Sequence, residues 1–531
     1  MRARPDVVFF LLDSVRPDRV AACGGRVSQR LFLDEVLGQS ALFTKVIAAG
    51  PYTLIALNAL FTSLCATTNG VNGAYKTTSG DLHPEAITLT ELLQQHGYAT
   101  MCYAGSPFEA MEPLPGFERY ELLPQLDLRV LRAYRAAAAP RFLCLSFQQV
   151  HDACCRRPGE MTPANYDAEL ARLDRDFERW YRALVGPDTL ALVYSDHGMR
   201  LRERLDPAYE ARPEQEPTTG VYLRDETIVS FAGFCGAGLF APRRIDAQIR
   251  SIDLAPTLLE ALGLPPLGGQ GASLWRELRA GLPIPERLAF CETGGRWFSP
   301  FAPELRGLRS ERAKFTQHER LGPALYDLAR DPGETRNRAG TGDPREVWLR
   351  AELERTTRRA SLPPRHFYAA AGVDWQGRLA RRAPLPVVAE LSQAMTAYEG
   401  IALALARAEL ADARRHASDL ARLLAREADK AASEAERTAF LAARERAERR
   451  VAAAPDLAAA RDGLAALSEL FCAYVAARPS FHDSLVRYEC ELPQGPRRWL
   501  QKRNDAAALN PYLDPQCPSA APHAPREVPF R

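Results

Sequence analysis

Leu190-Ala191-Leu192-Val193-Tyr194-Ser195-Asp196-His197-Gly198 places an acid and a histidine directly behind a short apolar run. Such a run is typical of a strand buried on both faces, as in a parallel sheet covered by helices. A second apolar run, residues 7–12, is followed in the same way by Asp13. Ligands bind at the carboxyl edge of open α/β sheets, and Asp and neutral His bind divalent cations, so the two strand ends predict one metal site. For either acid alone, the alternative is a cap on the helix that follows.

The first 340 residues alternate apolar strand patterns with helical ones. This order predicts an α/β fold with a mostly parallel sheet sandwiched by helices. Strands are predicted at 7–12, 99–103, 142–147, 190–194 and 228–231, and helices at 89–96, 166–184 and 253–263.

The composition of the sequence changes after about residue 360. We predict a catalytic domain over 1–360, with a C-terminal subdomain at about 285–340, and a proline-containing linker over 361–390. An all-α extension is predicted over 391–480 and an irregular, proline-rich tail over 481–531. Apolar or small residues recur every seven positions in the extension, which indicates a long helix or a coiled-coil hairpin. They are Leu403, Leu410, Ala417, Leu424 and Ala431.

Composition excludes several classes of protein. The 531 residues exceed one ordinary domain, and the net charge of +2 indicates neither a nucleic-acid partner nor an anionic membrane surface. No apolar run reaches the length of a membrane span. The chain enters a strand directly after Pro5, which leaves no room for a secretory signal, and the eleven cysteines are scattered. We therefore expect a cytoplasmic protein with reduced thiols.

Thr53 is the candidate nucleophile between the two acidic strand ends. It stands at the N-cap or first turn of a short apolar helix that runs from Leu54 to Ser63. A hydroxyl there meets unpaired backbone N–H groups and the positive end of the helix dipole, which suits an alkoxide and an anionic ester. The alternative is an ordinary N-cap threonine.

Residues 5 to about 340 resemble a sulfatase-type domain of the alkaline phosphatase superfamily, whose relatives include phosphonate monoester hydrolases and phosphoethanolamine transferases. The extension resembles no family. The resemblance rests on the order and spacing of residues 6–18 (DVVFFLLDSVRPD), 195–198 (SDHG), 225–229 (DETIV), 251–259 (SIDLAPTLL), 271–274 (GASL), 325–328 (LYDL) and 331–334 (DPGE).

This resemblance implies a role for each candidate residue. Asp13, Asp196 and His197 would bind one divalent metal ion (Mn, Zn or Ca), with Thr53 as nucleophile and fourth ligand. His151, which follows a core strand, would contact substrate or protonate the leaving group; a partly buried loop histidine is the alternative. Lys314 would bind substrate, with a surface lysine as the alternative.

Departures from the family pattern indicate which nucleophile and how many metal ions to expect. Sulfatases oxidise Cys or Ser to formylglycine within C/S-x-P/A-x-R, and the corresponding +2 and +4 positions here are Ile55 and Leu57. Threonine cannot be converted, since its β-carbon carries a methyl group, so no formylglycine is expected. Ser14 and Thr219 replace residues that often bind metal in the family, which favours one metal rather than two.

The sequence thus predicts a metal-dependent hydrolase or transferase with a Thr nucleophile, and it favours a phosphate ester over a sulfate ester as the substrate. One alternative is a formylglycine-independent sulfatase, and another is a catalytically degenerate scaffold that mediates assembly. The expected substrate is a small-molecule, glycan or lipid-head-group ester. The C-terminal helices are expected to form a homo-oligomer, cover the active-site mouth or bind a partner.

Overall fold

The computed structural model describes most of the chain. Its two compact units are Met1–Arg381 and Arg382–Arg531. The described residues are 4–27, 29–72, 82–83, 85–104, 114–122, 126–156, 161–201, 223–293, 305–318, 322–368, 392–430, 434–476, 485–492, 495–502, 510–512 and 526–528.

The first unit alternates strands and helices along the chain. Its strands are β1 (Asp6–Leu12), β2 (Ala41–Ile47), β3 (Ala99–Ala104), β4 (Arg119–Leu122), β5 (Arg141–Phe147), β6 (Thr189–Ser195), β7 (Val229–Gly236), β8 (Arg243–Ile245), β9 (Ile249–Arg250), β10 (Ala289–Thr293), β11 (Leu305–Arg309), β12 (Ala313–His318) and β13 (Gly322–Asp327). Its helices are α1 (Phe32–Gly38), α2 (Thr53–Thr62), α3 (Ala66–Asn69), α4 (Leu89–Gln95), α5 (Leu128–Ala136), α6 (Gln149–Arg156), α7 (Pro163–Leu184), α8 (Asp225–Ile228), α9 (Leu254–Ala261), α10 (Trp275–Ala280), α11 (Pro344–Ala360) and α12 (Arg365–Tyr368).

A nine-stranded sheet forms the centre of the described part of this unit, in the order β4-β3-β5-β1-β6-β7-β2-β8, with β9 paired to β2. Strand β1 runs parallel to both of its neighbours, β5 and β6. Strand β7 runs antiparallel to β6 and β2. The prediction of a mostly parallel sheet sandwiched by helices is therefore confirmed.

Helices cover both faces of the sheet, because successive residues of its central strands point to opposite faces and are apolar on both. Val7, Phe9 and Leu11 of β1 pack with α2, α4 and α9 on one face. Val8, Phe10 and Leu12 pack with α1, α5, α6 and α7 on the other. This two-sided burial is the physical reason for the unbroken apolar runs in the sequence.

Strand β2 was not predicted from the sequence. Its run is interrupted by Thr44 and the exposed Lys45, so it does not show the continuous apolar character of β1 or β6. A second sheet of four antiparallel strands, β10-β11-β12-β13, follows the main one in the chain. Helix α11 packs on it through Leu349 and Leu353.

The second unit contains helices α13 (Ser392–Ala406), α14 (Leu410–Lys430), α15 (Glu434–Arg446) and α16 (Leu457–Ala476). The prediction of C-terminal helices is confirmed, but α13 and α14 are separate, because Ala408 has a left-handed backbone with φ of 60°. Ala417 and Leu424 of the predicted seven-residue series are buried between the helices.

Three strands follow these helices: β14 (Leu485–Leu492), β15 (Gly495–Lys502) and β16 (Arg526–Val528), in the order β15-β14-β16. The extension is thus helical with a small sheet, and the prediction of an irregular tail over 481–531 is wrong for these segments. Trp499 of β15 and Cys490 of β14 pack into the helical core, which explains why the hairpin is ordered. Most of the predicted linker, residues 369–390, lies outside the described residues. In the part of the chain that the structure describes, no helix is long and apolar enough to cross a membrane.

Candidate metal and nucleophile site

The ends of β1 and β6 bring the two predicted acids together. Leu12 pairs with Ser195 in the parallel ladder, so Asp13 and Asp196 are the next residues on adjacent strands. Asp13 N also donates to Phe147 O of β5 at 3.0 Å, which holds Asp13 within the sheet edge. Both acids are buried, with 1% and 0% of their surface exposed. The juxtaposition predicted from the two strand ends is present.

Helix α2 directs Thr53 toward the same edge. Leu57, Leu60 and Phe61 pack on β1, and the Phe61 ring meets Phe9 edge-on at 5.7 Å. Packing of the C-terminal half of α2 therefore fixes the direction of its axis. This places Thr53, the first residue of the helix, at the sheet edge. Tyr52, at the N-cap, makes no side-chain capping bond, so the amide groups of the first turn are not closed off by it.

Ser14 arranges the carboxylates, a role that the sequence did not reveal. Its hydroxyl donates to Asp13 Oδ1 at 2.7 Å, and its backbone N–H donates to Asp196 Oδ1 at 3.1 Å. Ser14 adopts a left-handed backbone with φ of 63°, a conformation that non-glycine residues rarely adopt and that costs free energy. One oxygen of each acid is thus engaged by Ser14, and the Oδ2 atoms remain for another partner.

His197 presents its Nε2 atom to the acids. Its Nδ1 atom lies 2.7 Å from Gly198 O, and because a carbonyl only accepts, Nδ1 carries the proton. Nε2 is then unprotonated, and it lies 3.1 Å from Thr53 Oγ1 and 3.5 Å from Asp196 Oδ2. This is the tautomer in which histidines bind metals, with the second nitrogen fixed by a backbone carbonyl.

Asp13, Asp196 and His197 could hold a metal ion, since one ligand atom from each lies within 4.8 Å of the others. Asp196 Oδ2 is buried, and among the described residues it has no hydrogen-bond partner. Burial, together with the nearby Asp13 charge, raises the pKa of Asp196 to about 6, even though His197 acts in the opposite direction. Two buried acids without a cation are electrostatically costly. The donor set, with its unpaired oxygen and two buried acids, fits a divalent cation.

The glycine after His197 is required by close packing. A β-carbon at Gly198 would approach Glu226 O to 2.2 Å. Gly198 N also donates to Thr227 O at 3.0 Å, which ties the turn to α8. The turn that carries Asp196 and His197 is therefore held against α8.

His151 lies in the first turn of α6, just beyond the end of β5, rather than in a loop. Its side chain is 18% exposed and its Nδ1 atom lies 3.8 Å from Asp152 Oδ1. Because β5 is next to β1, His151 belongs to the same edge of the sheet as Asp13. Its predicted contact with substrate stays a prediction.

Lys314 is buried and ion-paired, so the alternative of a surface lysine is wrong. Its Nζ atom lies 2.9 Å from Asp225 Oδ1 and contacts Glu334 Oε1. Arg309 Nη2 contacts the other oxygen of Asp225 at 2.7 Å. Burial alone would lower the pKa of Lys314, but Asp225 and Glu334 raise it above its ordinary value. The group connects α8 to the second sheet, and a role in binding substrate stays a prediction.

Thr219, one of the departures from the family pattern, lies outside the described residues. Ile55 and Leu57, at the positions of the formylglycine motif, are buried in α2.

Comparison with known proteins shows what the first unit resembles. Residues 5–119 match the family model described as Sulfatase. The beginning of the first unit is therefore similar in sequence to the sulfatases. No curated protein sequence matches the chain.

Solved structures of similar fold cover most of the first unit, Met1–Arg381, which we call the sulfatase-like unit. A candidate sulfatase from Bacteroides thetaiotaomicron VPI-5482 is 18% identical, covers 72% of this chain and 97% of its own, and has a TM-score of 0.54. A 2-O GAG (glycosaminoglycan) sulfatase is 18% identical, with the same coverage and a TM-score of 0.53. The phosphonate monoester hydrolase of Agrobacterium radiobacter is 21% identical, covers 68% of this chain and 96% of its own, and has a TM-score of 0.52. At such identities the likeness establishes the fold of the sulfatase-like unit.

Proposed function

We propose that the sulfatase-like unit is a metal-dependent hydrolase or transferase that acts on a phosphate ester through Thr53. The position of the Thr53 hydroxyl supports this most directly. Its Oγ1 atom lies 3.1 Å from His197 Nε2 and 3.4 Å from Asp13 Oδ2, inside the group of buried ligand-type side chains. A hydroxyl needs such an environment to become a nucleophile at neutral pH.

The start of α2 offers the binding energy for an anion. Thr53 is the first residue of a ten-residue helix, where N–H groups and the helix dipole favour negative charge. A phosphate oxygen placed there would bring phosphorus close to Thr53 Oγ1. The same helix would therefore carry the nucleophile and bind the group under attack.

Asp13, Asp196, His197 and Thr53 would hold the cation, for which we propose Mn, Zn or Ca. When bound, a divalent cation lowers the pKa of a neighbouring hydroxyl and neutralises charge on the ester oxygens. Ser14 supports the set by orienting both acids, and Gly198 O fixes the tautomer of His197.

The proposed reaction has two displacements. Thr53 Oγ1 forms a bond to phosphorus while the bond to the leaving oxygen breaks, and the hydroxyl proton passes to Asp13 Oδ2, its nearest carboxylate acceptor. His151 donates a proton to the leaving oxygen or binds the anion. Water, or an acceptor hydroxyl, then attacks the phosphothreonine and gives its proton to His151. The bond between phosphorus and Thr53 Oγ1 breaks, and Asp13 returns its proton to that oxygen.

The choice of phosphate rests on the side chain of Thr53. Threonine cannot become formylglycine, and Ile55 and Leu57 replace the residues that this modification needs. A formylglycine-independent sulfatase is the second candidate, supported by the sulfatases among the similar structures. One of these acts on a glycosaminoglycan, as its name states, so a glycan ester stands beside small-molecule and lipid-head-group esters as a proposed substrate.

A degenerate scaffold is the third candidate. Against it, an apolar pair would stabilise the fold better than the buried, unpaired Asp196 Oδ2 beside His197 Nε2.

We further propose a cytoplasmic location and a homo-oligomer formed through the C-terminal helices.

The test compares aryl phosphate, phosphodiester, phosphonate and aryl sulfate as substrates for the full chain, after dialysis against chelator and addition of Mn²⁺, Zn²⁺ or Ca²⁺. We expect turnover of at least one phosphorus ester, reduced about a thousandfold or more in Thr53→Val and partly retained in Thr53→Ser. Acid-quenched enzyme should carry one phosphoryl group on the peptide that contains Thr53.

Thr162→Val is the matched control. Thr162 is an N-cap whose hydroxyl accepts from Asn165 N at the start of α7, so it tests the loss of a helix cap alone. Turnover of aryl sulfate only would replace the phosphate proposal by the second candidate. Absence of metal binding and of turnover with every substrate would leave the scaffold.

A further inference from the structure

Three adjacent strands end in register at the candidate site. Leu12 of β1 pairs with Phe147 of β5 on one side and with Ser195 of β6 on the other. The next residues across the sheet edge are therefore Gln148, Asp13 and Asp196, in that order. Neighbouring strands lie about 4.8 Å apart, so Gln148 is one strand from Asp13.

Strand alternation places Gln148 on the face that α2 covers. Leu11 and Tyr194 belong to the core on that face, and Asp13 and Asp196 follow each of them by two residues. In β5, Cys144 belongs to the same core and Gln148 follows it by four residues. Phe147 packs into the core on the opposite face. Gln148, Asp13 and Asp196 therefore lie on the same face of the sheet.

Gln148 is buried without a partner for its carbonyl oxygen. Its side chain is 6% exposed, and Oε1 makes no hydrogen bond with any described residue. Most buried side-chain acceptors in native proteins are paired, and an ordered water or a bound ion is one explanation for those that are not. Other buried side-chain atoms of this chain, Asp196 Oδ2 two strands away among them, also lack a partner among the described residues, so the position of Gln148 in the sheet edge is what connects it to the site.

We propose that Gln148 Oε1 is an additional oxygen ligand of the divalent cation, a role that rests on the proposed function of this site. An amide oxygen is a neutral ligand of the kind that Ca²⁺ and Mn²⁺ take, whereas a structural Zn²⁺ is satisfied by four ligands. With Thr53, Asp13, Asp196 and His197, Gln148 raises the donor set to five, four of them oxygens. The site would then favour a hard cation over zinc.

Isothermal titration of the chelator-treated full chain with Mn²⁺, Ca²⁺ and Zn²⁺ tests this proposal. In Gln148→Leu, we expect the affinity for Mn²⁺ and Ca²⁺ to fall about tenfold or more, and that for Zn²⁺ to change less. Without metal, Gln148→Leu should melt no lower than wild type, because it removes an unpaired buried oxygen. Gln148→Glu, which keeps an oxygen in place, should bind Mn²⁺ at least as well as wild type.

Gln149→Leu is the matched control. The Oε1 atom of Gln149 also lacks a hydrogen-bond partner among the described residues, but its Nε2 atom donates to Asp176 Oδ2 at 2.8 Å, and Gln149 is one residue beyond the position that lies beside Asp13. Mn²⁺ and Ca²⁺ affinities of Gln148→Leu within twofold of wild type would overturn the proposal while leaving the function of Thr53 intact. A wild-type chain that binds none of the three cations would overturn both. If Gln148→Leu does not fold, the same affinities of Gln148→Glu and Gln148→Asn decide, and equal values for both would also overturn it.

Discussion

Replacing Lys314 by methionine separates a structural role from substrate binding. Met has a similar length but no charge, so it removes the contacts of Nζ with Asp225 and Glu334. Glu334 is 3% exposed and would be left as a buried acid beside a second one. Removing one partner of a buried ion pair costs about 3–5 kcal/mol. Arg309 still contacts Asp225 at 2.7 Å, so we expect the lower end, about 3 kcal/mol.

Urea unfolding of the full chain, monitored by tryptophan fluorescence, measures this loss of stability. It should appear as a shift to lower urea of the transition in which the sulfatase-like unit unfolds. Below the transition, KM for the best phosphorus ester should stay within about twofold of wild type, because the Nζ atom is committed to two acids. Arg129→Met is the control, since Arg129 pairs with Asp127 on the surface and its removal should not shift the transition measurably. An unshifted transition together with a KM raised tenfold or more would refute this reasoning and support the predicted role of Lys314 in binding substrate.

Three further predictions follow from the site and its support. Asp196→Asn should weaken metal binding more than about a hundredfold in equilibrium dialysis, because it removes a charged ligand while preserving shape; retention of stoichiometric metal would exclude Asp196 as a ligand. Ser14→Ala should weaken binding about tenfold with the fold intact by circular dichroism, because Asp13 Oδ1 loses its hydroxyl donor; unchanged affinity would mean that Asp13 is oriented without it. A fall in pH should destabilise the wild type more than it destabilises the Asp225→Asn variant. Burial raises the pKa of Asp225, but the charges of Lys314 and Arg309 have a larger effect and hold this pKa well below 3.8 in the folded state. The stabilisation is thus present above about pH 4 and is lost as the pH falls below it, and parallel stability–pH curves for the two proteins would contradict the assignment.

The grouping of the candidate metal ligands could be predicted from sequence, because Asp13 and Asp196 each follow a strand that is buried on both faces. The apolar runs before Asp13 and Asp196 fix the strands, and parallel neighbours place their carboxyl ends together. The position of Thr53 at the start of an apolar helix made it a candidate nucleophile, but the same position is typical of an ordinary N-cap threonine. Only the resemblance to sulfatases favoured the first interpretation.

Gln148 and Ser14 were not predictable as parts of the site. Nothing local distinguishes Gln148 from Gln149, and only the pairing of β5 with β1 brings it beside Asp13. The partners of Lys314 are likewise distant in the chain, at Asp225 and Glu334. Pairings of this kind depend on topology, which local periodicity does not contain.

The β14–β15 hairpin did have a signal in the sequence. Tyr488, Cys490 and Leu492 alternate with charged residues, the period-2 pattern of a half-buried strand. The prolines of the surrounding segment obscured it, because proline-rich composition is typical of irregular chain.

The in-register strand ends restrict how a chain of this kind can diverge. A substitution alters one donor and leaves the others in place. Loss or gain of one residue within β1, β5 or β6 would instead turn that strand's terminal side chain to the opposite face. Insertions and deletions should therefore accumulate in the connections between these strands, while the lengths of the strands stay fixed across descendants that keep the chemistry.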